Sequence, residues 1–274
     1  TGECPIQDEG NWVILDWNWG VCSYVLFVPG KEKAIVFDTG VYPDYGLWIR
    51  NFMAENEGIK EFVAVTSHWH LDHIAGNEHY ADCEIIASRP CREEMVKISE
   101  KVEEGKFWGA PALKMVYPTI TFENSLSIWL YDIEVKLERF HIHTPDSIAA
   151  FIPKFDMCLC GDMLEDTQPF VLDVADLEIQ KKELERMKSF EASVFYPCHG
   201  NPHKIKNGGY DRKFIDAVIE YDTNLVAMHD HPDYINLPVE AFIPNAIENG
   251  TLSVWKYYVS VHEGNKKLVK EYFA

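Results

Sequence analysis

The sequence predicts a mixed α/β (α+β) fold in which helices cover large sheets, and two observations lead to that prediction. Short apolar runs typical of strands alternate with segments whose apolar residues recur at helical spacing. Motifs rich in histidine and aspartate follow directly after several of these runs. Because loops at strand ends commonly build functional sites, we expect these motifs to meet at one edge of a sheet.

The first half of the chain predicts strands separated by two helices. The first helix has its apolar face between residues 45 and 53, and Gly58 is typical of a helix end. The second has its apolar face between residues 91 and 102 and ends near Gly105. The first 40 residues read as strands, and individual strands are predicted over 23–28, 33–40, 61–67 and 83–88.

The second half predicts a series of strands and then alternating strands and helices. One helix is marked by Leu177, Leu184 and Met187, and a longer one spans residues 210–225. Further strands are predicted over 119–122, 126–131, 133–140, 148–153, 157–162 and 193–200. Residues 232–274 predict a turn-rich segment, a strand near 252–259 and a short final helix. We expect one domain over 1–230, with 231–274 as a C-terminal extension packed on the same domain.

The composition narrows the classes of partner. The chain has 274 residues, with 25 Lys and Arg against 44 Asp and Glu, which gives a net charge of −19. So acidic a surface argues against nucleic acid and anionic membranes and leaves a small-molecule substrate as the expected partner. No apolar run approaches the roughly 20 residues of a membrane span. Seven scattered cysteines and no apolar signal segment favour free thiols and a cytoplasmic protein.

The stretch TSHWHLDHIAGN, residues 66–77, crowds four metal-ligand side chains together. His68, His70, Asp72 and His73 fall within six residues. A tetrahedral site needs ligands from several directions, so four such close neighbours cannot all bind one ion. Two neighbouring ions would divide them, and other parts of the chain must then supply further ligands.

Three later motifs offer those ligands, and each follows a predicted strand. HIHTPDS contains His141 and His143, CGDMLED contains Asp162, and PCHGNPH contains His199. A single histidine at a strand end is usually an ordinary polar residue. Four separate motifs, all of ligand type and all at strand ends, indicate a metal site instead.

The combination resembles the metallo-β-lactamase fold over about residues 12–230. His68-x-His70-x-Asp72-His73 matches the HxHxDH motif of that superfamily. The resemblance extends, in the family's order, to Asp38-Thr39-Gly40, Gly161-Asp162 and His199-Gly200. It implies a four-layer αββα sandwich with two metal ions at one edge.

The resemblance also implies the division of the ligands. It assigns His68, His70 and His143 to the first ion, Asp72, His73 and His199 to the second, and Asp162 to both. The family's usual Pro-Gly before the third histidine is replaced here by His141-Ile142. An alternative alignment places Ser147 at the ligand position, but serine is a poor zinc ligand and His143 is available. His141 would share a strand face with His143, as an outer contact or as an ordinary strand residue.

Such a site implies a binuclear hydrolase with a metal-bridging hydroxide as nucleophile. The two divalent ions are expected to be zinc, with iron or manganese as alternatives. Asp72 is the candidate catalytic residue, because it could orient the hydroxide and pass a proton to the leaving group. Asp38 is expected to hold a ligand imidazole or simply form a turn, and Asp146 to anchor the ligand loop or form a turn.

The substrate class is less constrained. Zinc β-lactamases of the main subclass have Cys where Asp162 stands, and the acidic charge disfavours nucleic-acid phosphodiesterases, so we favour an ester, thioester or lactone. A non-haem iron oxidoreductase of the same fold is the alternative: a di-iron oxygen or nitric oxide reductase, or a persulfide dioxygenase. The di-iron reductases usually have Glu where His70 stands. Phosphodiesterase and β-lactamase activity are further alternatives.

Two segments are candidates for the surroundings of the site. The apolar residues between 106 and 118 either form a lid over the site or pack on the sheet. Residues 165–170, just after Asp162, either border the cleft or form a solvated acidic loop.

Overall fold

The computed structural model describes residues 6–8, 12–16 and 22–274, and of the two N-terminal segments only the backbone. Within these residues the strands form two sheets. The first sheet is antiparallel from its first to its fourth strand and parallel from there to its seventh. In sheet order its strands are Ile6–Asp8 (β1), Trp12–Asp16 (β2), Cys22–Phe27 (β3), Lys33–Phe37 (β4), Glu61–Val65 (β5), Glu84–Ser88 (β6) and Ile120–Phe122 (β7).

The second sheet follows in the chain. It comprises Ser125–Leu130 (β8), Ile133–Arg139 (β9), Ile148–Ile152 (β10), Met157–Gly161 (β11) and Val194–Pro197 (β12). The spatial order is β12-β11-β10-β9-β8, with β11 and β12 parallel and the other pairs antiparallel. All five residues of β10, IAAFI, are buried, as expected for a strand covered on both faces.

Helices flank both sheets. The longer ones are Pro43–Glu57 (α1), Arg89–Glu103 (α3), Leu177–Met187 (α4), Lys213–Ala227 (α6) and Lys256–Tyr272 (α9). The shorter ones are Leu71–Ile74 (α2), Pro202–Lys206 (α5), Val239–Phe242 (α7) and Pro244–Glu248 (α8). None of the helices in the described part of the chain is both long and apolar enough to cross a membrane.

Alternating residues of the first sheet face different layers, and this produces the αββα arrangement. In β3, Val25 and Phe27 pack with α1, whereas Tyr24 and Leu26 join the core shared with the second sheet. Helices α4 and α6 cover the second sheet, and Phe151 of β10 stacks on Phe190, just after α4. The predicted fold class is therefore confirmed.

Most predicted elements are present, and the differences place the candidate site. The predicted strands over 33–40, 61–67 and 193–200 end at Phe37, Val65 and Pro197. The polar residues that follow them therefore lie in loops at the carboxyl ends of the strands. Residues 1–5, 9–11 and 17–21 lie outside the described residues. Part of the strands expected in the first 40 residues falls on these segments, and Cys4 lies in the first of them.

The prediction of a strand near 252–259 is wrong, and the final helix is longer than expected. No strand forms there, and α9 runs for 17 residues from Lys256. The cause lies in its buried face, which carries His262, Asn265 and Lys266 beside Val269, so polar side chains interrupt the apolar face of the helix. Helix α9 contacts α6 and residues 174–176. The boundary at residue 230 stays a prediction.

Candidate metal centre

The carboxyl ends of β4, β5, β11 and β12 meet at one edge of the molecule. Asp38 follows β4, His68 and His70 follow β5, Asp162 follows β11, and His199 follows β12. Within each parallel pair, β4 with β5 and β11 with β12, the carboxyl ends lie side by side. Helix α2 begins directly after His70, and its single turn carries Asp72 and His73.

Two backbone features help to bring Asp162 and His143 to the same edge of the molecule. Gly161 has φ +54°, and a Cβ added there would lie 2.9 Å from the Ser67 Cβ. Only glycine therefore lets β11 approach residues 66–70, the loop after β5, which we call the histidine loop. His143 adopts φ +65° in the loop after β9, a left-handed conformation that is costly for histidine. The expectation that His141 and His143 share a strand face is therefore wrong. His141 turns away, with Nε2 2.9 Å from Asp176 Oδ2.

The first ligand group comprises His68, His70, His143 and Asp162, all buried. His143 Nε2 lies 3.1 Å from His70 Nδ1 and 3.8 Å from Asp162 Oδ2. His68 Nε2 lies 3.6 Å from the same Asp162 oxygen. The hydroxyl of Ser147, the alternative in the motif, contacts Thr144 Oγ1 at 2.8 Å.

The second ligand group comprises Asp72, His73, His199 and again Asp162. Asp162 Oδ2 lies 3.0 Å from His73 Nε2 and 3.4 Å from His199 Nε2. Asp72 Oδ2 lies 3.1 Å from His199 Nε2 and 3.6 Å from His73 Nε2. The structure thus brings together all seven predicted site residues, and Asp162 belongs to both groups.

These separations fit a pair of metal ions. Ligand atoms about 2.1 Å from a tetrahedral ion lie about 3.4 Å from each other, close to the separations in both groups. His68 Nε2 is buried and has no hydrogen-bond partner among the described residues. An orphaned imidazole nitrogen surrounded by other ligand atoms fits a lone pair directed at an ion.

The imidazoles of the first group are held neutral by burial. Burial lowers the pKa of His68 well below its usual value, and it lowers the pKa of His70 to about 3. Burial also lowers the pKa of His143 to about 4, despite the nearby Asp162. Neutral imidazole is the form that binds metals, so these three side chains need to lose no proton near neutral pH.

The second group is electrostatically different. Burial alone would lower the pKa of His199, but Asp162 and Asp72 raise it to about 9. The same two carboxylates raise the pKa of His73. Burial would raise the pKa of Asp72, yet His73 and His199 hold it well below its usual range. In the absence of metal, protons on two imidazoles therefore balance the carboxylates.

Asp38 hydrogen-bonds an imidazole of the second group, which was one of its two expected roles, and reaches the first group through Ser67. Its Oδ2 accepts a hydrogen bond from His73 Nδ1 at 2.9 Å and another from Ser67 Oγ at 2.7 Å. The Ser67 hydroxyl also lies 2.9 Å from His68 Nδ1. Cys198 Sγ adds a contact to Asp38 at 3.2 Å. One buried carboxylate thus orients His73 directly and His68 through Ser67.

Asp146 anchors the histidine loop, which was one of its two expected roles. Its Oδ2 accepts from the Trp69 backbone N–H at 3.0 Å, and its carbonyl accepts from Ser88 Oγ at 2.7 Å. Burial raises the pKa of its carboxyl to about 6. The side chain therefore ties the loop of His143 to the segment between His68 and His70.

The ligand groups open into a cleft of about 300 Å³. Its polar lining is made of His70, Asp72, His143, Asp162, Glu165 and His199. Its apolar lining is made of Trp108, Phe170, Leu172, Tyr257, Tyr258 and Val261. Both expectations for residues 106–118 hold in part: Trp108 reaches the cleft, whereas Phe107, Leu113, Met115 and Tyr117 pack against α3 and its neighbours.

Sequence reasoning missed the pair of Glu165 and Tyr258. The Tyr258 hydroxyl donates to Glu165 Oε2 at 2.8 Å, and Glu165 Oε1 lies 3.8 Å from His143 Nδ1. Burial and the neighbouring Asp162 raise the pKa of Glu165 to about 8. Residues 165–170 border the cleft and are buried up to Phe170, rather than forming a solvated loop. The apolar Pro-Phe at the end of the acidic stretch was the available signal.

Solved structures share this fold at low sequence identity. A metallo-beta-lactamase from Pontibacter korlensis aligns with TM-score 0.64 and 19% identity, covering 81% of this chain and 100% of that one. The DIM-1 metallo-beta-lactamase aligns with TM-score 0.60 and 18% identity, covering 81% and 98%. The stereoselective inverting sec-alkylsulfatase Pisa1 from Pseudomonas sp. aligns with TM-score 0.64 and 11% identity over 96% of this chain, which spans 49% of the alkylsulfatase.

Comparison with curated protein sequences finds no significant match. The family model described as "Metallo-beta-lactamase superfamily", however, matches residues 17–199, a segment that includes every residue of both ligand groups. The sequence match and the shared fold agree, and the chain belongs to the metallo-beta-lactamase superfamily.

Proposed function

We propose that this protein is a binuclear metal-dependent hydrolase acting on an ester, thioester or lactone. The observation that carries the proposal is the position of Asp162, whose Oδ2 lies within 3.8 Å of imidazole nitrogens from both ligand groups. His68, His70 and His143 hold the first ion, and Asp72, His73 and His199 hold the second. A set of five imidazoles and two carboxylates suits zinc.

The chemistry divides between the ions and the protein. When bound, two divalent ions lower the pKa of a water molecule and polarise the oxygen of a substrate. Asp72 is the most exposed ligand, with 34% of its side chain accessible, so its carboxylate faces arriving water and substrate. We assign it the role of orienting the water and carrying a proton to the leaving group. Asp38 and Asp146 hold the ligand loops in position.

Several features favour a carboxylic ester, thioester or lactone over the alternatives. Asp162 stands where main-subclass zinc β-lactamases have Cys, which disfavours a β-lactam. A phosphodiester or a sulfate ester carries a negative charge, and among the described residues that line the cleft there is no lysine or arginine. The likeness to an alkylsulfatase nevertheless makes a secondary alkyl sulfate a necessary test compound.

Elemental analysis of protein purified without added metal tests the metal centre. We expect two zinc ions per chain. Tightly bound iron with visible absorption would support the non-haem iron oxidoreductase instead. H68A is expected to lose metal and activity together, whereas H203A, which removes an exposed histidine outside both groups, is the matched control and should keep both.

A substrate panel then tests the reaction. The panel contains an aryl ester, a thioester, an acyl lactone, a phosphodiester, a secondary alkyl sulfate and a β-lactam. We expect turnover of at least one of the first three in wild type and H203A, and none in H68A. Turnover of only the charged esters or of the β-lactam would contradict the proposed substrate class. Activity that survives in H68A would contradict the site itself.

A further inference from the structure

The rim of the cleft carries exposed aromatic side chains from separate parts of the chain. Trp108 is 64% exposed, Phe170 47% and Tyr257 72%, and all three line the same 300 Å³ space. Single exposed aromatic residues are ordinary on a protein surface. A cluster of them around a polar site indicates a surface that a ligand covers.

Trp108 is placed at the cleft at a conformational cost. Its φ is +49°, a left-handed conformation that is unfavourable for a bulky side chain. Its ring stays largely in solvent and lies 5.5 Å from the His70 ring and 5.3 Å from the Trp69 ring. Burial in a core does not repay this strain, and strained positions of this kind cluster at functional sites.

The backbone segments that carry Phe170 and Tyr257 are held by contacts between the loop after Asp162 and residues 255–265. Besides the Tyr258–Glu165 hydrogen bond, the Trp255 backbone N–H donates to Thr167 Oγ1 at 3.1 Å. Asn265 accepts from the Val171 N–H at 3.0 Å and donates to the Pro169 carbonyl at 2.9 Å, on either side of Phe170. A surface held in this way loses little conformational freedom when it binds a ligand.

We propose that the cleft binds a small substrate through an uncharged, apolar group that packs against Trp108, Phe170 and Tyr257. This inference deepens the proposed hydrolytic function and rests on it for the identity of the ligand as a substrate. A volume of about 300 Å³ is at the lower end of small-molecule sites, so the apolar group is a short alkyl chain or a single ring.

The charges of the cleft also determine which substrates it binds. In the part of the chain that the structure describes, its lining contains the carboxyl groups of Asp72, Asp162 and Glu165 and no lysine or arginine. The two aspartates face the proposed ions, and Glu165 sits in the wall. A negative group at the far end of the substrate would lose its hydration and find no cationic side chain in exchange. The cleft therefore discriminates against substrates that carry such a group.

Binding of an uncharged amide tests the inference without requiring turnover. N-phenylbutanamide resembles a phenyl ester but resists hydrolysis, and calorimetry on the metal-loaded protein reports its affinity. We expect W108A and Y257A each to weaken binding at least about fivefold, and binding to have a negative heat-capacity change. W129A is the matched control, because Trp129 is 59% exposed on β8 and lies outside the cleft.

Two series of substrates test the same inference kinetically. Lengthening a phenyl ester from acetate to butanoate should raise kcat/KM by about fourfold for each added methylene. The phenyl ester of succinamate, which is neutral, should exceed the isosteric succinate monoester by at least about tenfold.

The outcomes separate this inference from the proposed function. The inference is overturned if W108A and Y257A bind the amide as strongly as W129A does. Equal turnover of the succinate and succinamate esters would also overturn it, even if the protein is a hydrolase. Amide binding with the expected dependence on Trp108 and Tyr257, but no ester, thioester or lactone turnover, would uphold the binding surface and reject the proposed reaction.

Discussion

The two ligand groups share Asp162 but differ in burial and in charge. The His68 and His143 side chains are at most 3% exposed, whereas those of His199 and Asp72 are 18% and 34% exposed. Burial holds the imidazoles of the first group neutral, while the carboxylates of the second group raise the pKa of its histidines. The difference indicates that Asp72 and His199 are the residues most open to water and substrate, whereas His68 and His73, which do not line the cleft, are closed off behind them.

The largest expected effect comes from removing Asp162, which belongs to both ligand groups. D162A takes the only carboxylate shared by both ligand groups of the described chain, so we expect loss of both ions and a fall in activity of more than about 100-fold. E165Q is the matched control, because Glu165 lines the same cleft but belongs to neither group. Elemental analysis of the two variants checks this. Two ions retained in D162A would show that Asp162 is not the bridge.

Residues that hydrogen-bond the histidines of the two groups offer a smaller perturbation, with different effects on the two ions. S67A removes the hydroxyl beside His68 Nδ1, and D38N alters the acceptor of both His73 Nδ1 and Ser67 Oγ. We expect S67A to weaken the first ion, and D38N to weaken both with the larger loss at the second, each by about 10–100-fold. Competition with a chelator at matched ionic strength measures the two affinities. Equal effects of S67A on both ions would contradict the division.

Proton release on metal binding should differ between the groups. A pKa of about 9 keeps a proton on His199 at pH 7 in the metal-free protein, and the ion must displace it, whereas His70 and His143 are already neutral. We expect the second ion to release about one proton from His199 at pH 7, and less as the pH rises through 9.

Calorimetry in buffers of different ionisation enthalpy measures that release. H199A should lower the number of protons released at pH 7, and H143A should leave it unchanged. Release that is the same at pH 7 and pH 9.5, or the same in wild type and H199A, would contradict the electrostatic difference between the groups.

The comparison of the two ligand groups also shows which features of the site the sequence could predict. All seven residues of the two groups were predicted, because the motifs at strand ends indicated a metal site and the resemblance to the metallo-β-lactamase fold implied which residues belong to each group. The outer role of Asp38 was also among the expectations. What local pattern could not supply was the set of charges around each buried side chain: burial lowers the pKa values of the first group's histidines, whereas Asp162 and Asp72 raise those of His73 and His199.

The wall of the cleft was not predictable for two physical reasons. Glu165 and Tyr258 are 93 residues apart and meet only through tertiary packing. Helix α9 buries polar side chains, and Lys266 donates to the carbonyls of Ile235 and Leu237, so the apolar face of the segment is interrupted. Its aromatic and β-branched start favours a strand by propensity, and tertiary contacts override that preference.

A crystal structure of protein loaded with zinc, with anomalous data collected at the zinc edge, tests the central claim most directly. We predict two peaks about 3.5–4 Å apart, one among His68, His70 and His143 and one among Asp72, His73 and His199, with Asp162 between them. A single peak, or peaks that leave Asp162 without a metal contact, would contradict the binuclear centre.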